Sequence, residues 1–317
     1  MYRVRAVFFS QQQACRLFVL LLTLGLAASA AAQGERGVIG GTVADAQGGV
    51  LPGVSIAARN INTGFTQSAV TEADGKYRFG ALPLGTYEIK AELTGFTTAT
   101  VTNLVLTVNR ELQQNITMGL STLQESVTVT GQAPVVEVTK SEVSTVITQQ
   151  QIEMLPVANR AAVTLALLLP GTSQDGTRPR RNNAQVGAGT LQFTTTNLAD
   201  GTMNMSSKAG EPRQDFPQAA IQEFKVFTTQ PPAEYGGRAG GVINVITKSG
   251  TNSFSGEGYE FFRNKSMGRL DKFTQAFEDA GQGTSRYTRH QFGGALGGPV
   301  VMNKVHFFAA EEYTQEN

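Results

Sequence analysis

Residues able to do chemistry are few in this chain and stand apart from one another. His290 and His306 are its two imidazoles, and neither opens an H-x-x-E or H-E-x-x-H pattern, so a metalloprotease zinc site cannot be assembled. No G-x-S-x-G supplies a nucleophile elbow. Gly236, Gly237, Gly240 and Gly241 invite comparison with a dinucleotide fingerprint, in which glycines follow a strand and open a helix whose N-terminus holds the pyrophosphate. Here they precede Val242 to Thr247, whose β-branched residues favour a strand, and "GTNSFSGEG" behind them lacks the Gly-Lys-Ser/Thr of a phosphate loop. Glu311-Glu312 have no visible partner and read as solvated charge. Arg178, Arg180 and Arg181 sit in a polar Gly/Asn/Arg loop that either meets an anionic ligand or is solvated. The chain therefore reads as a non-enzyme with no catalytic residue, no cofactor and no metal. Its chemistry question becomes what glycine before a strand is for.

The elements around these residues are mainly strands. With 40% hydrophobic and 16% charged residues, no Trp and 35 Gly, the composition leans towards β structure with many turns. Arg3, Arg5 and Arg16, then the apolar Leu17 to Ala28, then Ala30-Ala31-Ala32 read as a secretory signal over 1–32, with a membrane anchor as the alternative. Cys15 leaves with it, so thiolate catalysis and cysteine metal sites are excluded from the mature chain. Loss of those three arginines takes 26 basic residues to 23 against 25 acidic ones, a net charge of −2, which gives no reason to expect nucleic acid as a partner.

From Val38 to about Met118 short alternating runs such as "GVSIAAR", "KYRFGAL" and "TYEIKAEL" are separated by turn residues, the spacing of a small β-sandwich. Asp74-Gly75 is the sharpest hairpin signal in it. "LQESVTVTGQAP" is β-prone, polar and bounded by Gly and Pro, either an extended segment that adds to another protein's sheet edge or a linker strand. Thr148 to Gln151 fits a capping box for a short helix that Pro156 ends. A second helix is expected from Asn159 or Arg160 to Leu169, apolar nearly all round and stopped by Pro170-Gly171, with Val163, Ala166 and Leu167 on one face. "QAAIQ" reads as a helical turn passing into the strand "EFKVFTT".

Two resemblances rest on these residues. "GTVADAQGGVLPGVSI" and "TEADGKYRFGALPLGTYEIKAELTGF" resemble the carboxypeptidase regulatory-like domain, a β-sandwich module, present here without its enzyme. "EYGGRAGGVINVITKSGTNSFSGEGYEFFRN", with "LPVANRAAVTLALLLPGT" and "AIQEFKVFTT" before it and "RHQFGGALGGPVVMNKVHFFAAEEY" after it, resembles the junction of plug and barrel in TonB-dependent outer-membrane receptors, specifically the large Oar-like ones. The order and spacing of the motifs match that family along almost the whole mature chain.

The resemblance implies a mainly β fold with an α+β plug. Its parts are a regulatory-like β-sandwich over 33–118, a linker over 119–137, a plug with a mixed sheet and short helices over 138–250, and the first strands of a transmembrane β-barrel over 251–317. In such receptors a short TonB box adds as a strand to the energy-coupling protein TonB, and the matching positions are Glu125, Ser126, Val127, Thr128 and Val129. The plug-to-barrel motif is carried by Tyr235, Gly236, Gly240, Gly241, Asn244, Thr247, Lys248 and Gly250, the glycines serving close backbone packing. Relatives commonly show Leu-Asp-Gly where this chain has Ala199-Asp200-Gly201, which puts the packing of that turn in question.

Barrel-like runs are expected near Ser253 to Arg263, Ser285 to Leu296 and Lys304 to Tyr313. In the third, Val305, Phe307 and Ala309 share a face with Tyr313, while His306 and Glu312 take the other. Three strands cannot close a barrel, so the resemblance implies a truncated or partial chain. It implies as partners TonB, outer-membrane lipid and an extracellular substrate. Relatives carry siderophores, cobalamin, saccharides and peptides, and nothing here chooses among them. The expected location is the outer membrane, with plug and N-terminal domain facing the periplasm. The competing reading is a secreted or periplasmic β-rich module that binds a glycan or protein and is complete at this length.

Overall fold

The computed structural model describes residues 36–108, 110–121, 127–130, 143–155, 160, 162–174, 184–186, 195–206, 212–235, 240–264, 267 and 288–316. The expected leader with Cys15, Glu125 and Ser126 of the box, Pro156, the loop arginines Arg178, Arg180 and Arg181, Gly236 and Gly237 lie outside the described residues.

The first half of the chain alternates apolar and polar residues over short runs, and each run becomes a strand with one buried face. These strands are β1 (Arg36–Asp45), β2 (Ser55–Asn60), β3 (Thr66–Val70), β4 (Lys76–Pro83), β5 (Gly85–Glu92), β6 (Ala99–Leu106), β7 (Glu111–Gln113) and β8 (Ile116–Met118). One sheet has the order β4-β1-β7 with β8 also on β1, and the other runs β3-β2-β5-β6 and ends on β9 (Val127–Thr130). Ile39, Val43, Phe79 and Leu82 of the first sheet meet Ile56, Tyr87, Ile89 and Leu104 of the second in one core. At roughly 1.5–3 kcal/mol for each large apolar side chain removed from water, that core holds the sandwich without any disulfide.

The Asp74-Gly75 turn forms, with Gly75 at φ 71° and the Glu72 and Lys76 backbones bonded across it. It does not make a hairpin. β3 pairs with β2 and β4 with β1, so the turn carries the chain from one layer to the other, which turn chemistry alone does not reveal.

The next elements form a mixed sheet of order β10-β15-β16-β13-β14. Its strands are β10 (Val143–Thr148), β13 (Thr196–Ala199), β14 (Thr202–Met203), β15 (Ile221–Thr229) and β16 (Val242–Thr247), with β11 (Thr172–Gln174) and β12 (Ala184–Val186) paired separately. β16 runs antiparallel to β15 and parallel to β13. Helix α1 (Gln149–Met154) opens on the expected capping box, the Thr148 N–H donating to Gln151 Oε1 at 3.0 Å. Its C-cap Leu155 is extended, as a residue before proline must be.

The second expected helix is instead a 3₁₀ helix, Ala162–Leu168. Its span is bracketed by Arg160 at φ 55° and by Pro170, and among its described side chains Leu165 and Ala166 are fully buried while Leu168 points outwards. It packs one turn, not a whole cylinder, against the sheet, and the side chain of Val163 lies outside the described residues. The "QAAIQ" turn is the 3₁₀ turn Gln218–Ala220, and β15 starts at Ile221.

The last three strands, β17 (Ser255–Asn264), β18 (Thr288–Val301) and β19 (Val305–Glu316), form an antiparallel sheet in that order. β18 runs on through Gly297-Gly298-Pro299, past Leu296 where the expected run ends. Pro299 is accommodated because the register shifts between it and Val301, a bulge that spares the missing N–H. β18 begins at Thr288, the three residues before it lying outside the described set.

Candidate functional site

β16 is the axis of the candidate site. Its apolar run is buried on both faces: Ile243 and Val245 join Phe224, Val226, Ile152 and Leu165 on one side, and Val242 joins Phe227, Leu198 and Tyr235 on the other. Tyr235 sits 5.2 Å from the Phe227 ring, centroid to centroid. A strand covered on both faces leaves no room at its entrance. A Cβ on Gly241 would collide with the Phe227 carbonyl oxygen and the Val186 side chain, so glycine there serves close backbone packing. Gly240 precedes it, half-buried, and Gly236 is outside the described residues.

Polar groups fix the register of this strand. Asn244, fully buried, accepts the Gly201 N–H at 3.3 Å. Thr247 donates its N–H to Asp200 Oδ1 at 2.9 Å and its hydroxyl to Asp200 Oδ2 at 2.8 Å. Asp200 and Gly201 have φ 47° and 74°, both positive, as a two-residue turn joining β13 to β14 requires. The alanine before Asp200 therefore does not disturb the turn. Sequence reasoning saw the turn but missed Asp200 as the clamp on Thr247, because the two are 47 residues apart.

Beyond Thr247 the chain leaves the sheet along a line of polar contacts. The Lys248 N–H donates to the Ala220 carbonyl at 2.7 Å, and its ammonium lies 3.9 Å from Glu153 and 3.7 Å from Glu257, one acid on α1 and the other on β17. That bridge borders a cavity of about 440 Å³ whose wall also includes Asn60 of the sandwich, Gln149, and Phe308 of β19. Gly250 is buried where a Cβ would overlap the Phe307 and Gly298 carbonyl oxygens. Asn252 then ties three parts together. Its N–H donates to the Asn62 carbonyl at 2.8 Å, its Nδ2 donates to Asn303 Oδ1 at 2.8 Å, and its Oδ1 accepts the Asn303 N–H at 2.8 Å with His306 Nε2 at 2.9 Å.

The three-stranded sheet has two chemically different faces. One carries Glu312, which accepts from the Tyr259 hydroxyl at 2.8 Å and from Gln291 Nε2 at 2.6 Å. The Arg160 guanidinium lies 4.0 Å over the Phe261 ring on that same face. Glu312 is thus partnered, which corrects its reading as solvated charge. The other face exposes Phe254, Leu296, Phe292 and Tyr313, with Phe254 near Phe307 and Phe292 near Tyr313. Glu260, close to His290 at 3.4 Å, and Glu311 share it. Val305, Phe307, Ala309 and Tyr313 fall together and His306 and Glu312 oppose them, an alternation suited to a membrane strand.

Of the box candidate, Val127, Thr128 and Val129 lie in β9, which pairs parallel with β6 at the edge of the sandwich. A further joint links sandwich to mixed sheet: the buried Val108 N–H donates to Glu223 Oε1 at 2.6 Å. Glu223 and Lys225 are buried neighbours on β15, with the Lys225 ammonium 4.6 Å over the Phe227 ring.

Residues 38–119 match the carboxypeptidase regulatory-like domain and residues 246–317 match an outer membrane beta barrel domain. The TonB-dependent transporter Oar of Myxococcus xanthus is 28% identical over 303 residues, covering 92% of this chain. Among solved structures, the dioxygenase domain of a carbohydrate-binding protein fusion from Streptomyces sp. SirexAA-E is 14% identical with a TM-score of 0.23, over 28% of this chain and 82% of that one. Catechol 1,2-dioxygenase from Pseudomonas arvilla C-1 is 12% identical with a TM-score of 0.23, over 28% and 54%. Likenesses that low carry no argument. The chain is thus similar along most of its length to an outer-membrane TonB-dependent transporter of the Oar type, and it spans 28% of that relative's length.

Proposed function

We propose that this chain supplies the sandwich, the plug and the first wall strands of a receptor that binds a substrate outside the cell and admits it to the periplasm with energy delivered through TonB. The supporting observation is the succession of parts: a coupling-like segment, then a sheet buried on both faces, then a polar exit at Lys248 to Asn252 leading into strands with one apolar face. In the assembled receptor the outer edges of β17 and β19 pair with further strands, because an unpaired edge in lipid leaves N–H and C=O groups unbonded at several kcal/mol each. The mixed sheet is the plug, and it and the sandwich face the periplasm.

Coupling works through connectivity. Thirteen residues, 130–142, separate Val129 from β10, and β10 is the edge strand of the plug sheet. Tension on the box reaches β10 first, and an edge strand with one neighbour is the part of the sheet that gives most readily. No bond is made or broken in the substrate.

A photo-crosslinking residue placed at Val127 in cells tests this. An adduct with the energy-coupling protein is the expected outcome. Adducts with other envelope proteins but none with that one would refute the assignment.

A further inference from the structure

Val127 to Val129 of the segment read as a TonB box lie in the terminal strand of the sandwich's second sheet, and the chain is held upstream of them at Gly119 and Ser121. Thr97 donates its N–H to the Gly119 carbonyl at 2.8 Å, Ser121 donates its N–H to Gly95 at 3.0 Å, and Phe96 bridges Leu120, so the β5–β6 turn grips the chain just before the segment. Val127, Thr128, Val129 and Thr130 then lie opposite Ala99, Thr100, Val101 and Thr102 of β6. The pairing covers the β6 edge, which otherwise presents an open row of backbone groups. It is also a four-residue parallel ladder with one neighbour, so few backbone bonds have to be broken to free it.

We propose that the regulatory-like sandwich is the holder of the coupling segment: it keeps 127–130 paired on β6, and the energy-coupling partner must take the strand from that edge before it can pull on the plug. The proposal rests on the reading of Glu125 to Val129 as the box. Topology carries the argument. While β9 stays on β6, tension applied to it is borne by the sandwich, anchored just upstream at Gly119 and Ser121. Only after release does it pass along 131–142 to β10. A partner that recognises an extended segment by strand addition offers the backbone bonds that replace those lost to β6, so holding and coupling compete for the same groups. The sandwich thereby gains a role that its fold alone does not state.

The test uses the mature chain, which has lost its one cysteine with the leader, carrying Thr100→Cys with Thr128→Cys. Neighbouring strands lie about 4.8 Å apart, within the Cα separation a disulfide accepts. The probe is the purified periplasmic domain of the energy-coupling protein of the same bacterium. Mild oxidation is expected to close the cross-link, seen as loss of maleimide labelling. The oxidised chain should bind the probe at least tenfold more weakly than the same chain after dithiothreitol. Failure of the cross-link to form, where a control pair Ala57→Cys with Lys90→Cys across β2 and β5 does form, overturns the docking. Equal binding by oxidised and reduced chain overturns the competition. In the reduced chain, Val127→Pro with Val129→Pro should abolish binding. Binding that persists shows that the box lies elsewhere and overturns the proposal through its premise, while the cross-link still reports the docking.

Discussion

Asp200 is the residue on which the register of the mixed sheet's central strand turns, and replacing it by alanine has the sharpest local effect. Its carboxylate accepts two hydrogen bonds from Thr247, one from the amide at 2.9 Å and one from the hydroxyl at 2.8 Å. A hydrogen bond to a charged group contributes about 1.5–3 kcal/mol, and because Asp200 is half-buried the lower end applies. The pair therefore contributes about 3 kcal/mol to holding the end of β16. Asp200→Asn keeps one carbonyl acceptor without the charge and should lose about half of that. A chain with several packed units does not unfold in one step, so the fitting assay is native-state amide exchange read at Thr247. With each 1.4 kcal/mol a factor of ten, Asp200→Ala should speed that amide roughly 100-fold and Asp200→Asn about tenfold. Exchange at Thr247 within threefold of the parent in both variants would refute the clamp, and so would equal effects of the two substitutions.

Other expectations follow from the same structure. Gly241→Ala places a methyl group against the Phe227 carbonyl and Val186, and should lower the stability of the mixed sheet by about 1–3 kcal/mol, measured as faster exchange across β16. Glu223→Ala leaves the buried Val108 N–H without this acceptor at a cost of about 1–3 kcal/mol, and should expose the joint between sandwich and mixed sheet to limited proteolysis while the sandwich itself stays folded. Burial pushes the Tyr77 and Tyr87 phenols up. Unfolded tyrosines ionise near about pH 10, so the stability these two contribute is whole below that pH and is lost as pH rises above it. Tyr77→Phe should flatten the alkaline loss seen by circular dichroism, at the cost of about 1 kcal/mol at neutral pH for the bond to the Gln114 carbonyl.

What the sequence revealed and what it hid divide along a physical line. Signals that act within a few residues were legible: the capping box at Thr148 and Gln151, the β-branched run of β16, the alternation that separates Phe307 and Tyr313 from His306 and Glu312. Interactions between residues distant in the chain were not. Asp74-Gly75 announced its turn but not that β3 and β4 belong to different sheets. Glu312 looked solvated because its partners Tyr259 and Gln291 come from two other strands. The Ala162–Leu168 segment has an apolar composition suited to an α-helix, yet it adopts the tighter 3₁₀ form between Arg160 and Pro170. β9 was recognisable as extended, while its partner β6 was beyond any local pattern.

The proposal at the centre of this account is that Glu125 to Val129 couple the protein to TonB. Titration of the purified mature chain with the periplasmic domain of TonB, against the same chain lacking residues 125–129, tests it most directly. The account predicts saturable binding by the intact chain and at least a hundredfold loss on deletion. Equal affinity of the two chains would contradict it.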